Sequence, residues 1–229
     1  MLFRSLEDQH VDYTGGPVMP IWESPCPSWL DQTRRDLWGT LAILDYGPER
    51  FVFEERRRVP LGVNMAVRRT LIDRIGGFDP ELGRKGASLL GQEQAEFFCR
   101  SREVGARGMY EPAMALEHHV PAARLTRDYF RRWWFWKGFS KSRLEHRHPL
   151  TELGVDLTRV PTLFGVPRFM FGDAIRDVAG FVHAVFTLKA TEQMRRAMML
   201  CYFIGYVKGV RDAMRNTPSR FYTTADNKQ

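Results

Sequence analysis

Pro121 divides the sequence into two kinds of pattern, and that division leaves few architectures open. Before it, short apolar runs of strand length alternate with turn formers and helical stretches. After it, apolar and aromatic residues recur only at helical spacing. Strands mixed with helices, followed by helices alone, predict an α/β unit with a helical extension. A chain of 229 residues, 44% of them hydrophobic, buries a sizeable core, which excludes a disordered or fibrous chain.

Locally, a strand is expected over 13–19, entering a loop anchored by Trp22 and Trp29 among Gly15-Gly16-Pro17, Pro20, Pro25 and Pro27. Asp31 would cap a short helix over 31–38. Strands are expected over 41–44, 51–54 and 61–67, then a helix over 70–75 stopped by Gly76-Gly77-Phe78-Asp79-Pro80. A polar loop, 83–91, precedes a helix over 92–104 ended by Gly105, and strands follow near 108–110 and 113–118. Further helices are expected over 125–143, 168–189 and 191–215, with a loose tail after Pro218. The division that results is a unit over 1–144, a linker over 145–158, a basic helical extension over 159–217 and a tail over 218–229.

Lys and Arg number 34 against 27 Asp and Glu, a net charge of +7, which points to an anionic partner: nucleic acid, a phosphate-bearing ligand or a lipid surface. From Arg168 to Arg220 there are nine basic residues and four acids, a net +5 beside many apolar positions. That pairing suits helices lying on an anionic leaflet, although a partner protein or the chain's own core would cover them equally well. The apolar runs over 178–188 and 197–207 fall short of the roughly 20 residues a spanning helix needs. Cys26, Cys99 and Cys201 are far apart and form no Cys-x-x-Cys, and no secretory leader is evident, so a reducing, cytoplasmic setting is expected.

The sequence contains no Gly-x-Gly-x-x-Gly, Walker, His-Glu-x-x-His or Gly-x-Ser-x-Gly motif. Glu93 and Glu96 stand three apart at the start of the 92–104 helix. They are either a solvated first turn that meets the helix dipole or a carboxylate presented at a cleft edge for acid or base work. His118 and His119 close a strand, so one faces inward and the other outward, and the inward one needs carboxylate partners to become a metal site. The helix over 125–143 interleaves Tyr129, Phe130, Trp133, Trp134, Phe135 and Trp136 with Arg and Lys. It could stack on nucleic-acid bases, grip a diphosphate, rest at a lipid headgroup level, or turn its aromatics into the core.

Taken in order, Gly62-Val63-Asn64-Met65-Ala66, Gly76-Gly77-Phe78-Asp79, Gly91-Gln92-Glu93-Gln94-Ala95-Glu96, Tyr110-Glu111-Pro112 and His118-His119-Val120-Pro121 resemble glycosyltransferase family 2. The similarity is to the C-terminal part of its GT-A catalytic domain, over roughly residues 13–143, and Gly15-Gly16-Pro17 with Trp22 adds to it. The resemblance implies a partial GT-A mixed sheet with helices, followed by the all-helical extension. It implies sugar transfer from a nucleotide-sugar donor to a glycan or lipid-linked acceptor in polysaccharide assembly, at the cytoplasmic face of a membrane. By resemblance His118 corresponds to a ligand of a divalent metal, Mn or Mg. The catalytic position falls among Glu93, Gln94 and Glu96, and Trp22, Asn64, Asp79, Arg124 and Arg132 fall on the donor or acceptor side.

The sequence departs from the family in two places. Gln94 stands where the family has its Asp base, so that Glu93 or Glu96 substitutes or the chain is inactive. No Asp-x-Asp metal motif occurs, and the chain corresponds to the stretch that follows it. The alternatives are accordingly an inactive remnant or accessory subunit that binds a complete transferase or the membrane, and, third, a nucleic-acid-binding module.

Overall fold

The computed structural model describes residues 11–30, 35–54, 58–86, 88–151 and 153–216. The expected Asp31 cap and the tail after Pro218 lie outside these residues. In chain order the elements are β1 (Tyr13–Gly15), β2 (Val18–Trp22), α1 (Arg35–Trp38), β3 (Phe51–Val52), β4 (Met65–Val67), α2 (Arg69–Ile75), α3 (Glu93–Glu103), β5 (Gly108–Tyr110), β6 (Leu116–Val120), α4 (Arg127–Arg147), β7 (Thr162–Leu163), β8 (Val166–Pro167), α5 (Arg168–Phe186) and α6 (Ala190–Asn216). The architecture is mixed α/β, and every helix after Pro121 in the described residues belongs to the helical half.

One sheet has the order β3-β5-β1-β4, with β1 and β5 parallel and the outer pairs antiparallel. A second pairs β2 with β6 in parallel, from Val18 opposite Leu116 to Trp22 opposite Val120. The expected single strand over 13–19 is therefore two strands in two sheets, and the bend between them has a steric cause. A Cβ on Gly15 would lie 2.2 Å from the Pro60 side chain, and one on Gly16 2.7 Å from the Glu111 carbonyl, so only glycine lets the two crossing segments this close. Buried Asn64 ties the crossing together: its Nδ2 donates to the carbonyls of Pro17, at 2.8 Å, and Met114, at 2.6 Å.

Other expectations shift for local reasons. The stretch 41–44 is no strand: a 3-10 turn spans Gly39–Leu41, Ala42 is left-handed at φ 57°, and Leu44 makes one antiparallel bridge to Val18. The strand expected from residue 113 starts only at Leu116, because Pro112 opens a 3-10 turn over Pro112–Met114 whose first free N–H is taken by the Glu111 carboxylate. The helix expected from 125 begins at Arg127, where Thr126 Oγ1 accepts from the Tyr129 N–H, and runs to Arg147 into the expected linker. The hairpin β7–β8 was not legible as strands; Phe164 and Gly165 form its two-residue turn with φ of 52° and 74°.

Two cores result. Tyr13, Phe53, Leu71, Phe97, Phe98 and Tyr110 fill the space between the first sheet, α2 and α3. Leu30, Leu37, Leu41, Val120, Phe130 and Trp134 meet Met194 and Met198 of α6, so the last helix closes the core of the first half. Each fully buried side chain of this size contributes about 1.5–3 kcal/mol. Along α4 and α6 the backbones themselves come together. A Cβ on Gly138 would fall 2.0 Å from the Tyr202 carbonyl oxygen, and one on Gly205 1.9 Å from that of Phe135. Phe130, Trp134 and Phe139 of α4 are buried, so much of its aromatic content serves the core. Among the described residues no helix is long and apolar enough to cross a membrane.

Candidate functional site

The N-terminus of α3, the 61–65 segment entering β4, the end of β6 and the first half of α4 enclose an open cleft of about 710 Å³. Glu93, Gln94, His118 and Arg124 all line it, so four of the sequence-derived candidates meet in one place.

Gln94 has a defined mechanical role. Its Oε1 accepts from the Gly62 N–H at 2.6 Å and its Nε2 donates to the Pro60 carbonyl. One amide thereby satisfies a donor and an acceptor on the segment that leads into β4, which an ionised Asp could not do with two acceptor oxygens. Glu96 lies outside the cleft. It is buried and held in a two-bond pair by Arg100, with Nε and Nη2 each 2.7 Å from a carboxylate oxygen. The same guanidinium donates to the carbonyls of Ile75 and Gly77, so Glu96 orients the arginine that holds the Gly-Gly turn after α2. His148 approaches Glu96 at 3.4 Å from the other side. Glu93 differs from both: among the described residues its Oε2 is buried without a hydrogen-bond partner, as is Gln92 Oε1 beside it.

The alternation expected at the end of β6 holds: His118 is half-buried and faces the cleft, and His119 is exposed. Nε2 of His118 lies 3.5 Å from Nη1 of Arg124. Burial, then the Arg124 charge, then His119 push its imidazole below the usual range, which keeps it neutral at pH 7. Among the described residues no three His, Cys, Asp or Glu side chains gather as a metal-ligand set. With a guanidinium beside His118 where carboxylates would be needed, these residues do not by themselves fit a divalent cation.

The remaining candidates stand elsewhere. Asn64 is buried at the segment crossing. Asp79 pairs with Arg147 and accepts from the Glu81 N–H; burial pushes its carboxyl up, but these contacts outweigh that and hold it low. Trp22 lines a separate apolar cavity of about 200 Å³ with Leu30, Leu37 and Leu41. Arg132 is exposed on α4 and does not line the cleft. Arg84, which the sequence did not single out, also lines the cleft, as do Trp133 and Lys137 from the aromatic and basic set of the 125–143 helix. Lys137 Nζ stands 4.5 Å from the ring centroid of Trp134 and 5.3 Å from that of Trp133. The four-residue spacing of Trp133 and Lys137 was the available signal, since it puts them on one helix face. Arg84, Arg124 and Lys137 against the single carboxylate of Glu93 make the cleft basic.

No family model matches the chain, and no solved structure matches it. Over 136 residues it is 28% identical to a glucosyl-dolichyl phosphate glucuronosyltransferase of Haloferax volcanii, a stretch that covers 59% of this chain and 42% of that protein. The chain thus spans less than half the length of the curated relative it matches, and over that stretch it is distantly similar to a glycosyltransferase.

Proposed function

We propose that this chain carries the acceptor-side portion of a family-2-like, GT-A type glycosyltransferase, which moves a sugar from a nucleotide-sugar donor to a glycan or lipid-linked acceptor. The relative's name joins a lipid phosphate to glucuronosyl transfer, and the lipid-linked acceptor comes to this chain as part of the proposal. The observation that carries the reading is the buried, unpartnered Oε2 of Glu93 at the edge of a basic cleft. Gln94 has no lone pair basic enough to take a proton and is committed to the backbone, and Glu96 is committed to Arg100.

In this scheme the acceptor hydroxyl gives its proton to Glu93 as its oxygen bonds to the anomeric carbon. The bond from that carbon to the diphosphate breaks, and the electron pair leaves with the diphosphate. Arg84, Arg124 and Lys137 meet the charge that develops on the leaving group. Neutral His118 adds a hydrogen-bonding imidazole at the same edge without opposing Arg124 electrostatically.

The test separates binding from chemistry. Binding of UDP and GDP is followed through Trp133 fluorescence, with Trp133→Phe as the control for signal origin. R124A and K137A are expected to weaken it. Transfer from a panel of nucleotide sugars to polyprenyl-phosphate and glycan acceptors is expected to fall about 10²–10⁴-fold in E93Q with diphosphate binding unchanged. A chain that binds neither nucleotide, or an E93Q variant that transfers as the wild type does, overturns the proposal.

A further inference from the structure

Helix α5 is apolar on both sides. Its inward face sets Met170 and Ala184 against the protein, with Phe171 against Phe203 of α6. Its outward face should carry charge if water covered it. Instead Phe169, Ile175, Val182 and Phe186 stand 54%, 71%, 47% and 82% exposed. With Gly172 and Ala179 they follow the helical period in one line, and Val178 and Val185 widen it. The line runs from Phe169 to Phe186, about 26 Å of helix. Each end carries one more exposed apolar residue on a left-handed backbone: Phe164 at the β7–β8 turn and Leu188 after the helix.

Charges fringe this line without crossing it. Arg168 and Lys189 stand at its two ends, exposed and with no ion-pair partner among the described residues, and Arg176 lies beside its middle. The two acids of the helix are occupied: Asp177 turns inward to Arg196 at 2.7 Å, and Asp173 takes Arg176. This distribution selects the occupant. A two-fold pair of copies joined along α5 in antiparallel fashion would set Arg168 near Lys189 at both ends, so like charges would meet there. An anionic surface meets the same cations favourably and accepts the apolar line as well. Among the described residues no helix is long and apolar enough to cross a bilayer, so lipid contact by α5 would be in the plane of the surface.

We propose that the outward face of α5 seats the protein on an anionic lipid surface, with Phe169, Ile175, Val182 and Phe186 entering the acyl boundary and Arg168, Arg176 and Lys189 at headgroup level. The proposal stands on α5 alone and does not require the transferase reading.

The full chain is sedimented with vesicles of phosphatidylcholine containing phosphatidylglycerol and with vesicles of phosphatidylcholine alone. Binding is expected to the first, weaker to the second, and reduced by salt. The double variant I175E/V182E is expected to lose at least about tenfold in partitioning, with an unchanged circular dichroism spectrum because both side chains lie on the exposed face of α5. L153E, which charges an equally exposed leucine outside α5, is expected to partition as the wild type does. A wild-type chain that ignores the anionic vesicles, or a double variant that binds them as well as the wild type, overturns the proposal. So does a wild-type dimer that the double variant converts to a monomer without any effect of vesicles, since the face would then belong to a second copy.

Discussion

Replacing Gln94 by glutamate tests the clamp at the cleft directly, because the change alters protonation chemistry with almost no change of shape. In the native chain one amide accepts from the Gly62 N–H and donates to the Pro60 carbonyl. Each such bond contributes about 0.5–1.5 kcal/mol net. In Q94E, the ionised carboxylate keeps the first bond, loses the second, and sets a negative oxygen against the Pro60 carbonyl lone pairs. The protonated carboxyl of the same variant makes both bonds again, its O–H donating to Pro60. The neutral form is therefore favoured in the folded state, and the carboxyl pKa of the variant should rise above the unfolded value of about 4.3, by roughly 1–2 units at about 1.4 kcal/mol per unit. For a raised pKa the sign is fixed: the stabilisation is present below the unfolded pKa and is lost as pH rises through the folded one. Urea unfolding of Q94E should match the wild type near pH 4 and fall below it by about 1–3 kcal/mol at about pH 8. Q94M, which makes neither bond, should be destabilised by a similar amount with no pH dependence of its own. A Q94E variant as stable as the wild type at that higher pH, or one whose deficit is constant with pH, refutes the clamp.

Gly205→Ala would place a methyl 1.9 Å from the Phe135 carbonyl oxygen, and because that neighbour is backbone the helices must part. A loss of about 1–3 kcal/mol in urea unfolding is expected, and an alanine variant of full stability would show that α4 and α6 are not in backbone contact. Glu192 accepts from Arg195 and from Arg196, which also reaches Asp177 of α5; its bond to Arg195 first, with Arg196, lowers its pKa from 4.5 to about 2 against the opposite push of burial. Stability from this depressed carboxyl is present above about pH 4.5 and is lost as pH falls towards 2, so acid unfolding followed by α5-sensitive probes should be flatter over that window in E192Q. An unchanged acid profile in E192Q would remove this network from the account of how α5 is attached.

Legibility in the sequence varied with how local the cause was. Helix α3 was readable to within a residue at each end, because Gly105 stops it and its first turn carries acids, signals that act within a few residues. Residues 41–44 misled because Leu-Ala-Ile-Leu suits a strand, whereas the left-handed Ala42 reflects where the surrounding chain has to go. Gly15 and Gly16 looked like turn formers, but they are glycines because Pro60, Glu111 and Met114, distant in sequence, press on them. At the cleft, strand alternation said that one of His118 and His119 faces inward, the family resemblance chose His118, and the helix start brought in Glu93. It did not say which acid was free, since that depends on Arg100 claiming Glu96 across a helical turn. Which of the aromatic and basic residues of the 125–143 helix reach the cleft was not readable, because the face of α4 that meets it is set by how α6 docks on the other face, a fact of packing that no window of sequence contains.

The glycine contacts between α4 and α6 have a mechanical consequence. At these glycines the Tyr202 and Phe135 carbonyls rest where side chains would otherwise stand, so the two helices meet backbone to backbone there and resist sliding past one another. The wall that carries Trp133 and Lys137 and the helix that holds α5 therefore move as one strut. With α5 seated on lipid as proposed, the height of the cleft mouth above the bilayer would be a fixed length. Acceptors would then be sorted by whether their reactive hydroxyl reaches that height as well as by the groups that line the cleft.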